Sequence, residues 1–161
     1  MASFPPPRTL DELDRRIITL LRAEPRRSNT SLAGDLQVAE ATVAARVRSL
    51  EADQVIRICA QRDFRAAGYE VLATVDLGVR GRAIADVAAD VALIEGVGII
   101  TVVMGERPLM LLVMAPTLQA LHEIIVNELA PIAGVASVET MIISEVVKYR
   151  SEFAALVQPS P

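Results

Sequence analysis

Three features of the sequence predict an α+β chain in which an N-terminal winged helix-turn-helix precedes a ferredoxin-like βαββαβ domain. Residues 10–52 hold three short stretches with apolar side chains at helical spacing, the last two joined by a turn of two or three residues. From about Tyr69 a strand–helix–strand pattern runs twice in tandem. The charge balance also changes sign between these two parts.

In the first part, "LDELDRRIITLLRAEPR" puts Leu13, Ile17, Leu20 and Leu21 on one helical stripe, and Pro25 marks its end. "SNTSLAGDL" follows, with Ser28 as N-cap and Leu32, Ala33 and Leu36 facing inward. After the turn, "TVAARVRSL" carries Val43, Val47 and Leu50 as its packing stripe, and this third helix runs to about Ala52. A helix-turn-helix presents such a helix outward for the major groove of double-stranded DNA. The same spacing turns Thr42, Arg46 and Ser49 toward a neighbouring exposed face, and Thr42, Arg46 and Arg48 are expected to face the DNA. Glu40, in the first turn, suits the helix dipole but repels phosphate, so it would bias base preference. "VIRICAQRD" alternates enough to read as a strand pair or wing.

In the second part, "YEVLATVDLGV" reads as a strand and "AIADVAADVALIEGV" as a helix with Ile84, Val87, Val91 and Ile94 inward. "GIITVVM" and "LMLLVMA" are strands joined at the hairpin "GERP". "TLQALHEIIVNELAPIAGV" is a second helix with Leu118, Leu121, Ile125 and Leu129 inward, and "SVETMIISEVVKY" is the last strand. Both helices end in Ile-x-Gly-Val, at 94–97 and 132–135. A sheet with both helices on one side leaves its other face open, yet the strands are apolar at nearly every position. Strands apolar on both faces are usually covered on both, and a second copy of the chain is the simplest cover, so a homodimer is expected. The expected division is a tail at 1–9, the winged helix-turn-helix at 10–62, a linker at 63–69, the ferredoxin-like oligomerisation and effector domain at 70–150, and a tail at 151–161.

Charge and composition narrow the function. Residues 1–62 hold ten arginines against eight acids, whereas residues 63–161 hold six bases against twelve acids. Fifteen of the sixteen bases are arginine, whose rigid fork of donors suits phosphates and guanine edges. No apolar run is long enough to cross a membrane, and "MASFPPPRT" lacks the apolar core of a secretory signal. A single cysteine, Cys59, rules out a disulfide within the chain and suits the cytoplasm. An enzyme is not expected. "HEIIV" has Val126 where a second zinc ligand should stand, and His122, the one histidine, reads as a helix-surface residue. Cys59 has no thiol or imidazole near it in sequence and reads as a small core or wing residue, and the glycines form no G-x-G-x-x-G loop. No metal or cofactor is expected.

A helix-turn-helix, a wing and a βαββαβ sheet closing in "SEVVKYR" together resemble the leucine-responsive/AsnC, or feast/famine, family of bacterial and archaeal regulators. The resemblance spans roughly Leu10 to Arg150. "LDELDRRIITLL" is similar to the family's opening at Leu10, Asp11, Asp14 and Ile17, and "TVAARVRSLE" to its recognition helix at Thr42, Val43, Arg46, Val47, Leu50 and Glu51. It implies a dimer-based transcriptional regulator, assembling further into higher homo-oligomers, whose C-terminal domain senses a small molecule such as an amino acid.

The chain departs from the family in three places. Ala39 and Glu40 replace the Ser-Pro that usually opens the recognition helix, and Gln54 and Ile58 replace wing glycines. In the hairpin, Pro108 stands where relatives carry the carboxylate that holds a ligand's ammonium group. The resemblance implies that Met104, Gly105, Glu106, Arg107 and Pro108 line an effector pocket between dimers, with Thr140 on the last strand as a further member. Glu106 could then take the ammonium and Arg107 a carboxylate. Three readings remain: an effector-responsive regulator, an effector-independent architectural DNA-binding protein of the same fold, and an assembly module that no longer binds DNA.

Overall fold

The computed structural model describes residues 8–149; the tails expected at 1–9 and 151–161 lie outside these residues, apart from Arg8 and Thr9. The chain divides into two compact units, with the boundary between Ala60 and Gln61.

The N-terminal unit contains α1 (Glu12–Ala23), α2 (Asn29–Leu36) and α3 (Glu40–Ala52). Asp11 caps α1 by accepting from the backbone N–H of Asp14 at 2.8 Å. Ser28 does the same for α2 from Ser31 N–H at 3.2 Å. The turn between α2 and α3 is tight because Gln37 adopts the left-handed conformation, at φ 56°. The apolar stripes converge as expected, with Ile17, Leu21, Leu32, Ala33, Leu36, Val43 and Leu50 forming one buried core and Val47 packed against it. Residues 55–62 form no strand, so the expected wing is not present as a strand pair. Ile58 and Cys59 are exposed there, so of the two places expected for Cys59, core or wing segment, it takes the second.

The C-terminal unit contains β1 (Val71–Val79), α4 (Ile84–Val91), β2 (Val97–Val102), β3 (Leu109–Ala115), α5 (Leu118–Glu123) and β4 (Val135–Ile142). The strands form one antiparallel sheet in the order β2-β3-β1-β4, the ferredoxin-like arrangement. Alternate residues Ala73, Val75 and Leu77 of β1 and Leu109, Leu111 and Val113 of β3 are buried with Val87, Val91, Leu121 and Leu129 from the helices.

Three details differ from the sequence expectation. Ile84, expected inward, is 36% exposed at the start of α4, while Val87, Val91 and Ile94 are buried. After Glu123 the second helix widens into a π-helical segment at Ile124–Leu129. Its wider turn moves the inward position from Ile125 to Ile124, which is 9% exposed, while Leu118 stays 59% exposed. The last strand ends at Ile142 rather than near Tyr149, because β1 starts at Val71 and its final partner bond is Ile143 N–H to Leu72 C=O, 2.8 Å.

The two Ile-x-Gly-Val repeats need glycine for different reasons. At Gly96 a Cβ would lie 2.6 Å from Ile124 Cδ1; Gly134 has φ +95°, and a Cβ there would lie 2.8 Å from Arg82 Cβ.

Candidate DNA-reading helix and effector hairpin

The core fixes which side of α3 faces outward. Val43 and Leu50 are fully buried and Val47 is half-buried, so the opposite stripe, Ala41, Ala45 and Arg48, is exposed. Thr42 and Glu40 are exposed beside it. Arg48 has no ion-pair partner among the described residues. Small alanines flanking one arginine leave room for the helix to sit deep in a groove with a forked donor at its surface. No side chain caps α3 at Ala39.

Arg46 does not join that stripe. The spacing sets it outward, but its guanidinium turns sideways onto α1, with Nη1 at 2.6 Å from Asp11 Oδ2 and 3.1 Å from Asp14 Oδ1. Arg8 completes the cluster from the other side. Its Nη2 lies 3.0 Å from Asp14 Oδ2, and its Nη1 donates to Asp53 Oδ2 and to Ser49 Oγ, both at 2.6 Å. Asp14 is 1% exposed, and a carboxylate that deep is stable only when hydrogen-bonded to cations. Arg46 and Ser49, expected to face DNA, are here members of a clamp joining α3 to α1 and to the segment before it. The backbone N–H of Asp14, and then Arg46, hold the Asp11 carboxyl below its ordinary value; pairing raises Arg8 and Arg46. The partners of Arg46 lie 35 and 32 residues earlier, beyond the reach of helical periodicity. The available signal was chemical: Asp14, on the same helical face as Ile17 and Leu21, requires cations.

In the hairpin between β2 and β3, Met104, Gly105, Glu106 and Arg107 are exposed and Pro108 is buried. Val103 N–H donates to Pro108 C=O at 2.8 Å and closes the turn. A Cβ at Gly105 would meet nothing within 4 Å, and Gly105 is not among the positive-φ glycines, so its open side is not required by the backbone. Arg107 Nη1 lies 2.6 Å from Glu139 Oε2 on β4. Thr140 stands opposite Val75, whose side chain is in the core, so it belongs to the helix side of the sheet. Glu139, next to it, points to the open side. Within one chain, then, the hairpin reaches the open face and Thr140 lies on the other. His122 is exposed on α5, and no group of three or more His, Cys, Asp or Glu side chains among the described residues could hold a metal ion.

Sequence reasoning missed Arg8, Glu139 and Asp76. Asp76 sits in β1 between Met110 and Glu139, facing the open side of the sheet, and its Oδ1 is shielded yet bonded to none of the described residues.

Comparison with known proteins agrees with this architecture. Residues 10–51 match the model of the AsnC-type helix-turn-helix domain, and residues 72–153 that of the Lrp/AsnC ligand binding domain. An uncharacterised HTH-type transcriptional regulator of Pyrococcus furiosus is 33% identical over 142 residues, covering 87% of this chain and 95% of that one. The structure of Escherichia coli AsnC superposes with a TM-score of 0.82 at 21% identity, over 89% of this chain and 97% of that one. A Neisseria meningitidis transcriptional regulator solved as an L-Met complex superposes with a TM-score of 0.77 at 18% identity, over 91% and 97%. With both domain models matched in order and a relative at this identity along most of its length, the chain belongs to the Lrp/AsnC family of transcriptional regulators.

Proposed function

We propose that this regulator binds specific double-stranded DNA through α3, works in the cytoplasm as a homodimer or higher homo-oligomer, and is modulated by a small molecule such as an amino acid. The observation that carries DNA reading is the outward stripe Ala41, Ala45 and Arg48, with Thr42 beside it, on a helix whose opposite side is locked into the core. Arg48 replaces Arg46 as the main reader. Dimerisation through the open sheet face would place two such helices about one DNA turn, or a multiple of it, apart, so operators would be roughly palindromic. Two supports favour an amino acid: the ligand-binding-domain match and the L-Met complex of a relative. Glu106 and Arg107 offer opposite charges for the two ends of such a molecule, but Arg107 must leave or share Glu139 to take a carboxylate.

The test maps binding sites on the source genome and measures mobility shift on one of them. Arg48→Ala is expected to weaken specific binding by about 1–3 kcal/mol with the melting temperature unchanged. Equal binding by wild type and variant would remove Arg48 from the interface. An effector-independent architectural role is the second reading, favoured by the Arg107–Glu139 pair and by Pro108, which together leave the hairpin with one uncommitted charge. Melting scans with amino acids separate the two. A ligand at about a hundred times its dissociation constant stabilises by roughly 2.7 kcal/mol, and that shift should vanish in Glu106→Ala/Arg107→Ala.

A further inference from the structure

The open face of the sheet is largely apolar, and its acidic side chains fall in one row. Ile99, Leu112 and Met141 lie across it with Thr74, and the next row runs Met110, Asp76, Glu139. Ile99 is 51% exposed, Met110 41% and Met141 52%, too much exposed apolar surface in one place for a face meant to meet only water. Asp76 and Glu139 stand directly opposite each other on neighbouring strands, a destabilising placement for like charges unless cations answer both. Arg107 answers Glu139 only. Asp76 is left with a shielded oxygen and no hydrogen bond from any described residue. The face thus carries one unanswered acid and one cation with donors to spare, and a two-fold axis placed between them would set the acid of one copy against the cation of the other.

We propose that Asp76 and Arg107 select the partner in the sheet-to-sheet dimer, Asp76 of each copy accepting hydrogen bonds from Arg107 of the second copy. The occupant of the face is therefore the same chain, chosen by charge as well as by apolar fit. Asp76 can present either oxygen, because the terminal torsion of an aspartate is soft. Arg107, with five donors on a planar fork, can bridge Glu139 of its own chain and Asp76 of the other. A chain with the same apolar face but no acid at this position would leave the arginine's spare donors without an acceptor, and so would pair less well. This inference rests on the homodimer reading above and adds the pair that makes it selective.

The experiment uses full-length chains and sedimentation equilibrium. Asp76→Arg alone sets two arginines against each other at both symmetry-related contacts, and Arg107→Asp alone sets two aspartates against each other. Each should dimerise at least about tenfold more weakly than wild type. A mixture of the two variants restores an opposite pair at both contacts, so the heterodimer should form at least about tenfold more tightly than either variant with itself. Glu139→Gln, which removes only the contact within the chain, should leave the dimer intact. If the reversals disturb folding, Asp76→Asn and Arg107→Gln serve instead: each should weaken the dimer, and the double variant no more than either single. A monomeric wild type would overturn the homodimer reading itself. A dimeric wild type whose variants gain nothing on mixing, or whose neutral variants are simply additive, would overturn this inference alone.

Discussion

Asp14 is the buried charged side chain among the described residues of the N-terminal unit. A carboxylate at 1% exposure must be neutralised locally, and Arg46 and Arg8 do so from α3 and from the segment before α1. Arg46→Ala should therefore lower the midpoint of a denaturant or thermal melt, with DNA affinity falling only as far as the fold does. A variant with a wild-type melt and a large loss of specific binding would return Arg46 to the DNA face. The same cluster gives a pH dependence. The folded state lowers the pKa of Asp11, so its contribution is present above the ordinary carboxylate range and is lost as pH falls through the depressed value. Asp11→Asn keeps a good cap but cannot titrate, so its melting temperature should vary less than that of wild type in acid. The periodicity of 43, 47 and 50 was enough to read the buried side of α3 from sequence. It could not say where a long side chain on the flank would turn, because that depends on acids a helix away.

At the scale of elements, the helix-turn-helix carries removable strain. Gly34 lies in α2 with nothing within 4 Å of a Cβ, so Gly34→Ala should raise stability by up to about 1 kcal/mol. Gln37 holds a left-handed conformation that glycine adopts without a Cβ clash, and α3 begins without a side-chain cap. Ala39→Ser should add about 1 kcal/mol, again read in the melt. A decrease in either Gly34→Ala or Ala39→Ser would mean that the open positions are not open in solution. Every helix and strand of the C-terminal unit was legible, because long apolar stripes and alternations survive tertiary context. What was not legible depended on partners. The wing residues 55–62 alternate in sequence but have no strand beside them, and β4 stops where β1 begins. The shift from Ile125 to Ile124 reflects a wider helical turn that no count of 3.6 residues anticipates.

For the whole molecule, the separation of charge sets how it meets DNA. The sequence carries a net charge of −4, with the surplus of arginine confined to its first 62 residues. Non-specific binding should accordingly be weak and fall steeply with salt, the logarithm of the binding constant declining by about 0.9 for each phosphate contacted per tenfold rise in salt. A filter-binding series in salt measures this, and a flat series would mean that the arginines do not touch the backbone. Both domains were visible in the sequence through their order and spacing. The hairpin proposed to hold an effector was singled out only by likeness, and its engagement with Glu139 was not visible at all. Finally, Cys59 is the only thiol in the sequence; it is exposed, and it sits in the strandless stretch just before the boundary between the two units. A maleimide dye or nitroxide attached there would report from the joint without entering either core, so loading the molecule with DNA or with an amino acid could be followed as a change in probe mobility at one known atom.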